Sequence, residues 1–344
     1  MRVIDDASVG CYERVLHAVD EASGLRAIVA VHSTALGPAV GGTRFLPYRS
    51  EASATLDALR LAEAMTLKAA AAGLALGGGK AVIVGDPARL AGPALWSAYA
   101  EVIDLLGGSY YTAEDVGTSV ADMLAVRRWT PYVLGAVDPS PTTARGVLAA
   151  VRAVWEAETG ADALDGVSVV VQGAGKVGGT LARLLVEAGA RVSVSDVDGA
   201  RAAALAAEIG ASLVPPAEAL CAPCDVLAPC ALGGVLTPAS VAELRCRWVV
   251  GSANNQLCRD EVADRLAERD IGYVPDFVAN AGGLISVGEE LVGGDARHVA
   301  EAADGIGDVV RELIETVRQE GGTLLRAAVE RARERLGPSR DAVR

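Results

Sequence analysis

Two lysines, an aspartate and a string of glycines are the residues of this chain whose types and spacing could do chemistry. Lys68 and Lys80 bracket eleven residues without a charge, and Lys80 follows Gly77, Gly78 and Gly79 and precedes the apolar run AVIVG. Lysine is ordinarily solvated, and this is a poor context for a surface lysine. Two ammonium groups converging in apolar surroundings lower each other's pKa, and desolvation adds to the effect. One could then work as a base near neutral pH while the other stays charged and holds a carboxylate. Asp115, in the segment TAEDVGT, reads by itself as a helix N-cap.

A second constellation lies in VSVVVQGAGKVGGTLARLL, where Gly173, Gly175 and Gly178 form a GxGxxG between a strand-like run and a helix-like run. Gly173 permits a tight turn, Gly175 lets a pyrophosphate approach the backbone, and Gly178 allows close helix–strand packing. With Ala174, Lys176 and Val177 between them, they read as a phosphate-binding segment at the positive end of a helix. Asp196 follows 18 residues after Gly178, at the end of the next strand. A carboxylate there accepts from ribose hydroxyls and repels a 2′-phosphate, so the expected cofactor is NAD rather than NADP. A GxGxxG alone is weak; here strand, helix and acid all fall where dinucleotide binding needs them.

The elements that must hold these residues can be read around them. Residues 25–32 read as a strand and 55–72 as a helix of strong formers. A further helix is expected over about 92–107, and GAVDPSPTT (135–143), with two prolines, reads as a connector. After Gly166 short apolar strands (168–172, 192–196, 225–230, 248–254, 272–275) alternate with helical stretches, the pattern of a parallel doubly wound sheet. From His298 the chain reads as helix with a break at Gly321-Gly322. The expected fold is α/β in two domains with a cleft between them. A substrate domain with a mixed sheet covers residues 1–134, with a C-terminal helix over about 315–344 packing back on it, and a Rossmann-like NAD-binding domain covers 135–314.

Bulk properties narrow the function. The chain has 344 residues, 51% hydrophobic but only 4% aromatic, so its cores must be built from Ala, Val and Leu. A balance of 31 basic against 44 acidic residues, −13 in all, repels phosphate backbones, and nucleic acid is not an expected partner. The most apolar stretch, Ala69 to Leu76 before the glycine triplet, is far short of a membrane span. The first residues hold no secretory apolar region, and six cysteines lack a disulfide-scaffold spacing, so a cytoplasmic location is expected. Cys221 and Cys224 form a CxxC with no histidine near; semi-buried thiols are the expected reading, and no metal site is expected.

The strings GPAVGGTR (37–44), LKAAAAGLALGGGK (67–80), YYTAEDVGTSVADM (110–123), CDVLAPCALGG (224–234), GSANNQL (251–257) and PDFVANAGG (275–283) resemble the glutamate/leucine/phenylalanine/valine dehydrogenase family from about residue 10 to about 330. The likeness is greatest to the leucine, valine and phenylalanine branch. The resemblance implies NAD-dependent reversible oxidative deamination of an apolar L-amino acid to its 2-oxo acid and ammonia. Lys68 would bind the α-carboxylate with Asn254, near Gly41 and Gly42. Lys80 would activate a water for attack on the imino acid, and Asp115 would move protons to and from the amine. Thr143 and Asn280 would lie near nicotinamide or substrate. With the apolar composition, the resemblance also implies a homo-oligomer.

Substrate choice is expected at four positions. Glutamate dehydrogenases carry a lysine in the G-P-x-x-G-G motif where this chain has Val40, and a buried carboxylate without a partner is costly, which disfavours glutamate. Ala113, Leu284 and Val287 complete an apolar pocket. Val40 is smaller than the family's usual Leu and Leu284 larger than its usual Val, while phenylalanine-type relatives tend to have Gly at the Ala113 position. Branched aliphatic substrates (leucine, valine, isoleucine) are the first expectation, and phenylalanine or another bulky or non-standard apolar amino acid the second. The connector over 135–143 lacks the family's Gly/Ser-rich insertion, which bears on substrate preference and closure. A catalytically silent NAD-binding protein would be expected to have lost Lys80 or Asp115, and an amine dehydrogenase to have lost Lys68 or Asn254; all four are present.

Overall fold

In the computed structural model the described residues are 1–6, 9–135 and 138–337. Ala136 and Val137, in the short connector, and the last seven residues of the expected C-terminal helix lie outside them. The chain divides into two compact units. The first holds the residues up to Asp138 with Glu290–Gly293 and the C-terminal residues from Arg331; the second holds Pro139–Glu289 and Gly294–Glu330.

The first unit is built on β1 (Arg2–Asp5), β2 (Arg14–Asp20), β3 (Leu25–Ser33), β4 (Ala39–Leu46), β5 (Gly77–Val84) and β6 (Tyr110–Glu114), with helices α1 (Glu51–Ala71), α2 (Pro87–Leu90), α3 (Pro93–Asp104) and α4 (Val120–Val126). The sheet order is β1-β2-β3-β5-β4-β6. The β1–β2, β2–β3 and β3–β5 pairs are antiparallel, and β4 runs parallel to both β5 and β6. The expected mixed sheet is therefore present. α1 starts earlier than its hydrophobic pattern suggests because Ser50 and Ser53 form a reciprocal capping box. Its Ala54, Ala58 and Ala62 are fully buried at four-residue spacing and pack with Val15, Ile28, Ala30 and Val82 on one sheet face. α3 and α4 cover the other face, where Tyr99, Ile103, Met123 and Val126 meet Val29, Phe45, Ala81 and Ile83.

The glycine triplet opens a strand: Gly77, Gly78 and Gly79 lie within β5. A Cβ at Gly78 would sit 2.1 Å from the Thr66 backbone nitrogen of α1. Helix and strand thus touch backbone to backbone, and only glycine fits.

The second unit comprises α5 (Ser140–Thr159), β7 (Ser168–Gln172), α6 (Lys176–Glu187), β8 (Arg191–Ser195), α7 (Gly199–Ile209), β9 (Ser212–Leu213), β10 (Val226–Pro229), α8 (Pro238–Glu243), β11 (Trp248–Val249), α9 (Val262–Ala267), β12 (Gly272–Tyr273), α10 (Asp276–Ala279), most of α11 (Gly282–Val292), α12 (Ala296–Glu320) and the first part of α13 (Leu324–Leu336). All its strands are parallel, in the order β12-β11-β10-β7-β8-β9. This is the doubly wound arrangement, and the strand order reverses beside β7. β11 is shorter than the expected 248–254: Val250 and Ala253 still donate to Leu227 and Pro229, but the backbone leaves the strand path and reaches positive φ at Asn255. From Arg331, α13 belongs with the first unit, where Arg331 Nε donates to Ala71 O at 3.3 Å. Among the described residues no helix is long and apolar enough to cross a membrane.

Candidate functional site

Strand alternation decides which residues of the first unit can meet. On β5, Ala81 and Ile83 face the α3 core while Gly78 and Val82 face α1, so Lys80 shares the α1 face. On β4, Thr43 bonds Tyr99 of α3, which puts Val40, Gly42 and Arg44 on the opposite, α1 face. On β6, Thr112 also bonds Tyr99, leaving Ala113, and Asp115 just beyond the strand, on the α1 side. In register, Val40 pairs with Gly78 and Tyr111, and Gly42 pairs with Ala113. Val40, Ala113, Lys80 and Asp115, all singled out from the sequence, thus belong to one face of one sheet.

Lys80 is only 6% exposed, and its Nζ lies 2.6 Å from Asp115 Oδ2. Asp115 is not an N-cap: Ser119 caps α4, and the Asp115 carboxylate faces cations instead. Arg44 Nε donates to the same oxygen at 3.0 Å, and another Arg44 nitrogen donates to Asp57 of α1 at 3.0 Å. Asp57 also accepts from the Tyr48 hydroxyl. The Asp115 backbone is fixed in turn, its N–H donating to Thr118 Oγ1, which donates to Thr43 O. A Cβ at Gly42 would come within 2.8 Å of Asp115 Cβ, so a glycine there leaves the aspartate its place.

Burial pulls the Lys80 pKa down, and although Asp115 pulls it back up, the balance is below the ordinary lysine value, with Arg44 adding to the fall. Burial pushes the Asp115 carboxyl up, yet Lys80 and Arg44 outweigh it and hold it below the usual carboxylate range. Arg44 is thus a cation that acts on Lys80 through the shared carboxylate. Lys68 lies in the last turn of α1, partly exposed. Arg44, Asp57 and Tyr48 were not singled out from the sequence, although Arg44 sits two places beyond Gly42 on the same strand face, a signal that alternation could have supplied.

In the second unit the glycine-rich turn joins β7 to α6. Gly173 has φ +107°, and its place is crowded by Ala231 and Cys230; a Cβ at Gly178 would lie 1.9 Å from Gly173 O. Gly175, by contrast, has nothing within 4 Å of where a Cβ would stand. Packing inside the protein does not require glycine there, while approach of a ligand to the backbone does. The α6 N-terminus begins at Gly175 with no side-chain cap. Gln172 Oε1 and Ser195 Oγ, at the carboxyl ends of β7 and β8, are buried with no partner in the protein. Orphaned polar atoms, an uncapped helix start and open space at Gly175 fit a dinucleotide at the strand-order reversal. Asp196 accepts from Ala174 N–H at 2.7 Å and from Asp198 N–H at 2.8 Å, and Arg201 lies 3.6 Å from it.

The same unit brings Asn254 and Asn280 together. Asn280 Nδ2 donates to Asn254 Oδ1 at 2.8 Å and to Ser252 O at 3.1 Å. Asn280 is buried and Asn254 exposed. Asp276 accepts the Asn255 N–H at 2.7 Å, which pins the loop where its backbone turns to positive φ. Thr143 is buried in the first turn of α5, with its hydroxyl on Pro139 O. Leu284 and Val287, one turn apart on α11, are buried and half-buried.

All six cysteines are free thiols. Burial raises Cys224 to about 12 and Cys246 to about 11. Among the described residues no group of three or more His, Cys, Asp or Glu could hold a metal ion.

Residues 9–131 match the family model for the Glu/Leu/Phe/Val dehydrogenase dimerisation domain, and residues 135–204 and 202–336 match Glutamate/Leucine/Phenylalanine/Valine dehydrogenase. The chain belongs to this dehydrogenase family. Leucine dehydrogenase of Geobacillus stearothermophilus is 42% identical over 338 residues, covering 96% of this chain and 92% of that one. Valine dehydrogenase of Streptomyces virginiae is 43% identical over 341 residues, covering 96% and 95%. The crystal structure of L-tryptophan dehydrogenase from Nostoc punctiforme superposes with a TM-score of 0.88 at 39% identity, covering 95% of this chain and 96% of that one. As a member of the Glu/Leu/Phe/Val dehydrogenase family the chain is an oxidoreductase acting on the CH–NH2 group of amino acids, with a nicotinamide dinucleotide as its cofactor class. The α/β fold with one mixed and one parallel sheet is the fold of these enzymes.

Proposed function

We propose that the chain catalyses the NAD-dependent, reversible oxidative deamination of a branched aliphatic L-amino acid to its 2-oxo acid and ammonia. The observation that carries this reading is the buried Lys80–Asp115 pair on the sheet face that also bears Val40 and Ala113. Lys68 and Asn254 hold the substrate α-carboxylate, near Gly41 and Gly42. Asp115 takes a proton from the substrate amine. When bound, the cofactor accepts the hydride leaving Cα. Lys80, its basicity lowered by burial, then removes a proton from the water that adds to the iminium carbon. Asp115 protonates the departing nitrogen, Lys80, having released its first proton to solvent, takes the carbinolamine hydroxyl proton, and the C–N bond breaks to give the 2-oxo acid and ammonia.

The cofactor is held by Gly173, Ala174, Gly175, Lys176, Val177 and Gly178 around the pyrophosphate, by Asp196 at the adenosine ribose, and by Thr143 and Asn280 near the nicotinamide. Gly175 and the uncapped start of α6 support this assignment. Val40, Ala113, Leu284 and Val287 contact the substrate side chain. All four are apolar, which leaves a carboxylate without a partner, and relatives named as leucine and valine dehydrogenases support an aliphatic substrate. The kinship with a tryptophan dehydrogenase, at a TM-score of 0.88, favours a bulky aromatic substrate as the second reading. The enzyme works in the cytoplasm as a homo-oligomer, its partners being these small molecules alone.

Initial rates of NADH formation at alkaline pH with leucine, valine, isoleucine, phenylalanine, tryptophan and glutamate, with Lys80→Ala as control, test the proposal. Aliphatic turnover that vanishes in the control is the expected result. Preference for an aromatic substrate selects the second reading, and firm NAD binding without any turnover overturns both.

A further inference from the structure

We infer that Arg44 is a positioning residue that keeps the Asp115 carboxylate charged and in place at the moment Lys80 gives up its proton. The inference rests on the reading of Lys80 as the base.

Both cations address one atom. Lys80 Nζ stands 2.6 Å and Arg44 Nε 3.0 Å from Asp115 Oδ2. Were Lys80 the sole partner, its deprotonation would strand a largely buried carboxylate, and the carboxylate would hold the proton on Lys80. A base locked in this way could not act. Arginine does not deprotonate in proteins, so Arg44 remains a counter-ion to Asp115 whatever the state of Lys80. Both cations sit on Oδ2, and neither holds Oδ1.

Arg44 is itself held rigidly. Its guanidinium is a planar fork, and while Nε points at Asp115, Nη1 meets Asp57 Oδ2 at 3.0 Å. Asp57, from α1, is fixed by the hydroxyl of Tyr48, from the segment after β4. Register places Arg44 opposite Val82, two residues beyond Lys80 on the neighbouring strand, so the two cations are diagonal neighbours on one face. The groups that act on Lys80 are thus Asp115 from the loop after β6, Arg44 from β4 and Asp57 from α1. Arg44 favours loss of the Lys80 proton and Asp57 opposes it.

Opposite signs make the inference testable on the full-length enzyme. The pH dependence of kcat/KM would be measured with saturating NAD and the best amino acid of the panel, for the parent, Arg44→Gln, Arg44→Lys, Asp57→Asn and Lys80→Ala. Melting temperature and NAD binding by fluorescence would be followed in parallel. Arg44→Gln should move the limb that reports Lys80 toward alkaline pH by about one unit or more, with activity recovering as pH rises. Asp57→Asn should move the same limb toward acid. Arg44→Lys should keep the limb near its parent position while kcat falls, because a point charge does not replace the fork.

Uniform loss at all pH values with an unmoved limb, or shifts of the same sign in both neutralised variants, would overturn the inference. Should Arg44→Gln fail to fold, an unmoved limb in Asp57→Asn would overturn it by itself. A limb that persists in Lys80→Ala denies Lys80 its role as base and takes this inference with it. Turnover lost in Lys80→Ala together with a limb unmoved by Arg44→Gln and Asp57→Asn sinks the positioning role alone.

Discussion

The Ala174 N–H donates to Asp196 Oδ2 at 2.7 Å, tying the acid at the end of β8 to the glycine-rich turn after β7. Asp196 therefore shapes the turn, and in the proposed site it also holds the ribose. Losing a hydrogen bond to a charged group costs about 1.5–3 kcal/mol. Asp196→Ser should accordingly raise the KM for NAD by about tenfold or more, and the ratio of NAD to NADP efficiency should fall. Steady-state rates with both cofactors give that ratio. If it stays at the parent value, Asp196 does not select the cofactor.

Two glycines should separate folding from binding. At Gly78 a Cβ would stand 2.1 Å from the Thr66 nitrogen, so Gly78→Ala must push α1 from the sheet, at a cost of about 1–3 kcal/mol. A thermal melt should show a fall of several degrees. At Gly175 a Cβ would meet nothing within 4 Å, and Gly175→Ala should melt close to the parent while NAD affinity drops. Equal melting temperatures for the two variants, or unchanged NAD binding in Gly175→Ala, would contradict this division.

Ala113→Gly should widen the side-chain pocket. One methyl group is worth about 1–3 kcal/mol in discrimination, so the phenylalanine-to-leucine ratio of kcat/KM should rise by about tenfold. An unchanged ratio would remove Ala113 from the pocket.

Acid stability should report the Asp115 network. Its folded carboxyl pKa lies below the unfolded value because the cations Lys80 and Arg44 outweigh burial. The stabilisation is therefore fully present above the unfolded-state pKa of about 3.9 and is lost as pH falls through the lower folded value. Urea midpoints between about pH 5 and pH 3 should fall more steeply for the parent than for Asp115→Asn. Parallel slopes would show that this pair contributes nothing to acid unfolding.

The nucleotide turn was legible because its chemistry is local: GxGxxG, the strand before it and the helix after it are contiguous in sequence, and each glycine meets a backbone demand within a few residues. β7 falls on 168–172 as its apolar run indicates. That β5 begins at Gly77, ahead of its apolar run, is something periodicity cannot show, since Gly77–Gly79 serve close contacts with α1, β3 and Tyr110. β11 is cut short by the turn toward Asn255, whose backbone is held by Asp276, 21 residues away in sequence.

By itself, the sequence determined the family, the doubly wound half, the glycine-rich turn and the presence of Lys68, Lys80 and Asp115, because these follow from residue types at short spacing. Only the tertiary structure decided what those side chains face. The partner of Lys80 lies 35 residues further along the chain, and Arg44, 36 residues earlier, meets the same carboxylate oxygen. That meeting depends on β4 lying parallel between β5 and β6 in one particular register. A slip of one residue would turn every one of these groups to the opposite face. Whether Asp115 caps a helix or balances two cations is therefore a property of the sheet, and no window of neighbouring residues contains it.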